Sequence, residues 1–60
     1  MKHIVDYPDV LTVMELANLL QIGRSSAYNL IKTHRIRSIR IGRCIRIPRK
    51  AVEEYLSNAR

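Results

Sequence analysis

Three residues, Gln21-Ile22-Gly23, separate two stretches in which apolar residues recur at helical spacing. A break this short forces two helices to meet closely. The first stretch opens on Thr12-Val13-Met14-Glu15, which has the form of a capping box. The Thr12 hydroxyl can accept from the Glu15 amide, and the Glu15 carboxylate can accept from the Thr12 amide. The spacing then predicts a helix from Val13 to about Leu20, with Val13, Leu16, Ala17 and Leu20 on one face. Gly23 serves as turn residue and as a tolerable N-cap. A second helix is predicted from Arg24 to about Thr33, burying Ala27, Leu30 and Ile31. Its opposite face carries Ser25, Asn29 and Lys32, with Tyr28 and Ser26 on the flanks. An ordinary solvated helix face is the alternative reading of those polar residues.

Further along, Ile39-Arg40-Ile41 and Cys44-Ile45-Arg46-Ile47 alternate about Gly42-Arg43, the pattern of a β-hairpin. Two registers fit. A two-residue loop pairs Ile41 with Cys44 and sets Arg46 beside Ile39. A three-residue loop, Gly42-Arg43-Cys44, gathers the four isoleucines on one face and Arg40 with Arg46 on the other. Burial of the apolar set favours the longer loop, although like charges then face each other; a bound phosphate would relieve that conflict. Pro48 ends the second strand and suits a helix start. The last helix is expected from about Arg49 to Asn58, with Val52, Tyr55, Leu56 and Ala59 as its apolar stripe. Residues 1–11 contain Tyr7-Pro8-Asp9 and are expected as an extended arm that lays Val10 and Leu11 on the body. The result is an α+β fold in the order α-turn-α-β-hairpin-α, one domain spanning residues 1–60.

Charge narrows the partner. The chain has 11 Lys and Arg against 5 Asp and Glu, for a net +6. All the acids lie outside residues 16–52, whereas Arg24, Lys32, Arg35, Arg37, Arg40, Arg43, Arg46, Arg49 and Lys50 lie inside. Charge runs are usually solvated faces, but an acid-free run of this length draws in a polyanion. Cys44 is the single cysteine, so no internal disulfide is expected, and Cys44, His3 and His34 lack metal-site spacing. A reducing, cytoplasmic compartment fits, with neither signal peptide nor membrane span expected. No metal, cofactor or small-molecule substrate is implied. An enzyme is the weakest class, because the acids cluster near the two ends and no phosphate-cradling Gly-rich loop is present.

Two short helices across a tight turn read as a helix-turn-helix. Ala17 is small where the helices meet, Ile22 plugs the turn, and Ala27 and Leu30 follow at the usual spacing. With Ile22-x-Arg24-Ser25-x-x-Tyr28, Arg40-Ile41-Gly42-Arg43 and Arg46-Ile47-Pro48, the chain closely resembles the excisionase family of helix-turn-helix proteins, relatives of the MerR-type winged-helix domain. The resemblance covers roughly Leu11 to Leu56. Gln21 departs from a frequent Gly, Gly23 from a frequent Ser, and Ile45 from a frequent large aromatic. The resemblance implies a small winged helix-turn-helix that binds double-stranded DNA. It further implies a recombination directionality factor of a mobile element, bending DNA beside an integrase, or a transcription regulator of the same architecture. The implied location is with the bacterial nucleoid.

On that reading the second helix enters the major groove. Ser25, Asn29 and Lys32 are the base-reading candidates, with Ser26 beside them; Asn suits adenine and Lys guanine. Arg24 is expected at a phosphate or guanine, the alternative being packing of its stem. Tyr28 donates to a phosphate or packs under the wing. Thr12 caps its helix and can also offer a donor to a phosphate. Arg40, Arg43 and Arg46 are expected on the polar face and tip of the wing, with Arg43 entering a minor groove. Arg37, Arg49 and Lys50 are expected at phosphates, and Cys44 as a small filler. The chief rival is a protein-interaction module docking an acidic partner. RNA binding is disfavoured by three Tyr with no Phe or Trp. Self-association on DNA is expected, with Glu53 and Glu54 meeting the basic face of a neighbour.

Overall fold

A computed structural model describes residues 6–58. Strand β1 (Val10–Leu11) leads into helix α1 (Val13–Leu20), helix α2 (Arg24–Lys32), strands β2 (Ile39–Ile41) and β3 (Cys44–Pro48), and helix α3 (Arg49–Asn58). The predicted order and helix bounds hold, with Thr33 as the C-cap of α2. The arm expected over residues 1–11 is described only from Asp6; residues 1–5 lie outside the described residues.

Both predicted N-termini form as expected. The Thr12 amide donates to Glu15 Oε1 at 2.9 Å, and the Glu15 amide donates to Thr12 Oγ1 at 3.1 Å. Gly23 is the N-cap of α2 in extended conformation, φ −72 and ψ 162, and supplies no side-chain cap.

Both helices end in the same way, and neither uses glycine. Gln21 takes the left-handed conformation, φ 56 and ψ 45. Its amide donates to the Asn18 carbonyl at 3.2 Å, and the Ile22 amide donates to the Ala17 carbonyl at 3.0 Å. At the end of α2, His34 sits at φ 59. Its amide donates to the Ile31 carbonyl at 3.1 Å, and the Arg35 amide to the Leu30 carbonyl at 2.9 Å. Both are Schellman closures, a left-handed residue satisfying two carbonyls that the helix end leaves open.

The core lies where α1, α2, α3 and the sheet converge. Leu11, Leu16, Ile36, Ile47 and Val52 are its largest fully buried side chains. Each such side chain contributes about 1.5–3 kcal/mol by leaving water. Ala17 and Ala27 are buried too, and their small size lets α1 and α2 close on each other. Ile22, half-buried, packs against this core from the turn. Tyr7 and Ile36 join the core without having been expected there.

The strands form one antiparallel sheet in the order β1-β3-β2. Val10 and Leu11 therefore do more than lie on the body: they pair with Pro48 and Ile47. Leu11 and Ile47 are a cross-strand pair without solvent exposure, which joins the hairpin to the core.

The hairpin register corrects the sequence expectation. Ile39 pairs with Arg46, Arg40 with Ile45, and Ile41 with Cys44, so the loop is the two-residue Gly42-Arg43. Gly42 has φ +60 whereas Arg43 is not at positive φ. That sign pattern belongs to a type II′ turn with Gly first, whose twist matches the strands. The expected face of four isoleucines does not form, and Arg40 and Arg46 lie on opposite faces. No charge conflict therefore awaits a phosphate. The expectation assumed that every isoleucine finds a core; the tip of the hairpin projects beyond the body, and all of β2 is exposed.

The stripe of α3 is also shifted. Ala51 and Val52 are buried and Tyr55 is half-buried, whereas Leu56 is exposed. At the helical period Ala51, Val52 and Tyr55 share one face, and Leu56 falls at its edge. Ala59 lies outside the described residues.

Candidate nucleic-acid interface

Helix α2 buries Ala27 and half-buries Leu30 and Ile31, which fixes the rotation of everything else on it. Ser25, Ser26, Asn29 and Lys32 are exposed, with Ser25, Asn29 and Lys32 directly opposite the buried side. Arg24 is exposed at the first helical position. The crest that the sequence picks out is thus formed and open to a partner.

Tyr28 links α2 to the wing. It is 46% exposed, so neither of its two expected roles claims the whole ring. On one side it lines a groove of about 590 Å³ with Ile31, Lys32, His34, Ser38, Arg40 and Ile45. On the other it lines a smaller groove of about 260 Å³ with Thr12, Met14 and the wing residues Arg43, Cys44, Ile45 and Arg46. The first groove carries Lys32, Arg40 and His34 on its rim over an apolar floor of Ile31 and Ile45. His34 and Ser38 were missed by sequence reasoning. The left-handed turn at His34 swings the chain from α2 to the wing and leaves both at the groove; charge pattern alone gave no signal of it.

The basic residues divide into two groups. Arg37 pairs with Glu54 at 3.7 Å. Arg49 meets Glu53 at 3.4 Å and Asp9 at 3.5 Å, and donates from Nη1 to the Tyr7 carbonyl at 2.8 Å. Its amide also donates to the Asp9 carbonyl at 2.7 Å. These two arginines tie α3 to neighbouring segments and lie apart from the α2 crest. Lys50 is exposed on α3. By contrast, Arg24, Lys32, Arg35, Arg40, Arg43, Arg46 and Lys50 have no ion-pair partner among the described residues, Arg35 lying in the turn after α2. Arg46 is half-buried and donates to the Ile45 carbonyl at 2.9 Å. Arg40 and Arg43 are exposed. Five of these cations lie on α2 and the hairpin: Lys32 and Arg40 line the larger groove, Arg43 and Arg46 the smaller one, and Tyr28 lines both. Thr12, engaged in its capping box, lines the smaller groove at the start of α1. Cys44 is exposed, so it fills no space in the core.

Residues 10–60 match the family described as "Helix-turn-helix domain". An excisionase from Streptomyces ambofaciens is 41% identical over 51 residues, which is 85% of this chain and 82% of that protein. The chain belongs to the excisionase family of helix-turn-helix proteins. A "Probable excisionase" from Saccharopolyspora erythraea is 48% identical over 46 residues, 77% of this chain. The match covers 47% of that longer relative. No solved structure matches the chain. Among the described residues, no helix is long and apolar enough to cross a membrane.

Proposed function

We propose that this chain is a sequence-specific double-stranded DNA-binding protein that acts as an excisionase, bending DNA and assisting an integrase. The observation that carries the reading is the grouping of unpaired cations. Arg24, Lys32, Arg40, Arg43 and Arg46 lie on α2 and the hairpin, where Lys32 and Arg40 line one groove between the two elements and Arg43 and Arg46 another, while the paired Arg37 and Arg49 are held by carboxylates of α3. The names of the relatives support the excisionase role. Helix α2 enters the major groove, where Ser25, Asn29 and Lys32 meet base edges. Arg24, Tyr28, Ser26 and the Thr12 end of α1 meet the flanking backbone. The phosphate ridge between major and minor groove crosses the α2–wing groove, where Lys32 and Arg40 neutralise it. Arg43 reaches the minor groove, while Arg37, Arg49 and Lys50 meet outer phosphates at most. The chain has no catalytic step of its own on this reading and works with the bacterial nucleoid. Self-association on DNA is part of the reading, although Glu53 and Glu54 already engage arginines of their own chain.

A fluorescence-anisotropy titration tests it, with duplexes from beside integrase attachment sites against random duplex across a salt series. Five phosphate contacts give a slope of log K against log salt of about −4 to −5. One fragment preferred by about a thousandfold makes the chain a specific reader. Binding that is flat in salt, or equal on every duplex, removes the reading and turns attention to acidic protein partners.

A further inference from the structure

The wing has two faces, and on one of them the part carried by β2 is left without a neighbour while the part carried by β3 borders the smaller groove. Arg40, Ile45 and Ile47 turn toward the core and the α2 groove. The other face carries Ile39, Ile41, Cys44 and Arg46. Ile39 is 48% exposed and Ile41 is 62% exposed. Two exposed β-branched side chains side by side on the edge strand β2 are a liability unless a partner covers them. The turn geometry creates this exposure: the two-residue loop sets Ile41 opposite Cys44, one residue from the tip.

We propose that Ile39 and Ile41 form an apolar wedge that enters the minor groove of duplex DNA, packs on its deoxyribose wall and helps bend the helix. Charge selects that occupant. Arg43 follows Ile41 across Gly42, Arg46 pairs with Ile39, and Arg40 lies on the reverse of the strand. A purely apolar partner would strip water from these guanidinium groups and return nothing. A second copy joined along β2 would bring basic residues against one another with no acid on either strand. The minor groove offers both requirements, apolar sugar edges between two rows of phosphates. Isoleucine is among the side chains that proteins drive into minor-groove steps to kink DNA toward the major groove. The inference rests on the DNA-binding reading and assigns a further contact to the same site.

The test compares the parent with Ile41→Ser and with the double variant Ile39→Ser/Ile41→Ser. Both positions are exposed, so the fold should persist, and circular dichroism checks it. Affinity for the preferred duplex is read across a salt series, and bending by energy transfer between dyes on the duplex ends. Loss of affinity of about tenfold at unchanged salt slope, with a smaller bend, is the expected result. The deficit should shrink to about threefold or less on the same site carrying a mismatch under the wing, where the duplex already yields. Unchanged affinity and bend in the double variant overturn the wedge while leaving DNA binding in place. A parent dimer in sedimentation without DNA that Ile41→Ser dissolves also overturns it, because the face then belongs to a second copy. A parent without salt-dependent duplex binding removes the DNA reading itself, and the wedge with it.

Discussion

Replacing Gln21 with Gly should stabilise this protein, and so should replacing His34. Each residue holds a left-handed backbone at a helix end, with φ 56 and φ 59. An L-residue with a Cβ pays about 1–2 kcal/mol for that conformation. Glycine removes this penalty but brings a more flexible unfolded chain, which takes back about 0.4–1 kcal/mol. The net gain is about 0.5–1 kcal/mol at each site. In a domain this small, 1 kcal/mol moves Tm by about 4–8 °C, so each variant should melt about 3–6 °C higher. The two closures sit in different turns, so the double variant should add their effects to within about 0.5 kcal/mol. Thermal unfolding followed by far-ultraviolet circular dichroism reads all three. Gln21→Ala is the control: it keeps the left-handed penalty and removes the rest of the side chain, so it should not raise Tm. If Gln21→Gly melts at or below the parent temperature, the Gln21 side chain is holding the turn more strongly than the backbone resists it, and the reasoning fails.

Thr12→Ala removes half of a complete capping box and should lower stability by about 1 kcal/mol, measured by urea unfolding; no loss would mean that α1 is fixed by packing alone. Gly23→Ser should raise stability by about a few tenths of a kcal/mol, because nothing lies within 4 Å of a Cβ placed there and the backbone is already extended; a fall in Tm would contradict it. Arg43→Ala should reduce the magnitude of the salt slope for DNA binding by about 0.9, whereas Arg37→Ala, whose charge already meets Glu54, should change it far less; equal effects from the two would dissolve the division of the basic residues.

The helices were legible because independent signals agreed at their ends. The Thr12–Glu15 box, the short break at Gln21-Ile22-Gly23 and Pro48 before α3 each marked a boundary that spacing alone leaves vague. The exposed crest of α2 followed from Ala27, Leu30 and Ile31 facing inward. The hairpin was legible, but its register was not. Alternation fits two pairings, and the choice fell to the turn, where Gly42 at positive φ favours two residues over three. Ile36 could have been found, being the one apolar residue between Thr33 and Ser38. Tyr7 and the left-handed turn at His34 had no such signal, whereas the frequent glycine that Gln21 replaces pointed to a left-handed residue at the end of α1. The groove that unites His34 and Ser38 with Lys32 and Arg40 depends on the His34 turn, so it too was out of reach.

The contacts of the hairpin are concentrated at one end. The hairpin has no core beneath its tip and is anchored at its base. There Ile47 is sealed against Leu11, and the next residues, Pro48 and Arg49, are tied back to Val10, Asp9 and Tyr7. Arg49 at this joint is only partly exposed and carries two carboxylates, so its charge serves the joint and adds little to the outer field. Toward the tip the pattern reverses: Arg40 and Arg43 are exposed with no acid to hold them, and Ile39 and Ile41 lack a core. Along the hairpin, then, the cation at the base is neutralised and those toward the tip are left open. A hairpin fixed at its base and unsatisfied along its length, in both charge and apolar surface, is suited to a partner that supplies phosphates and sugar edges together.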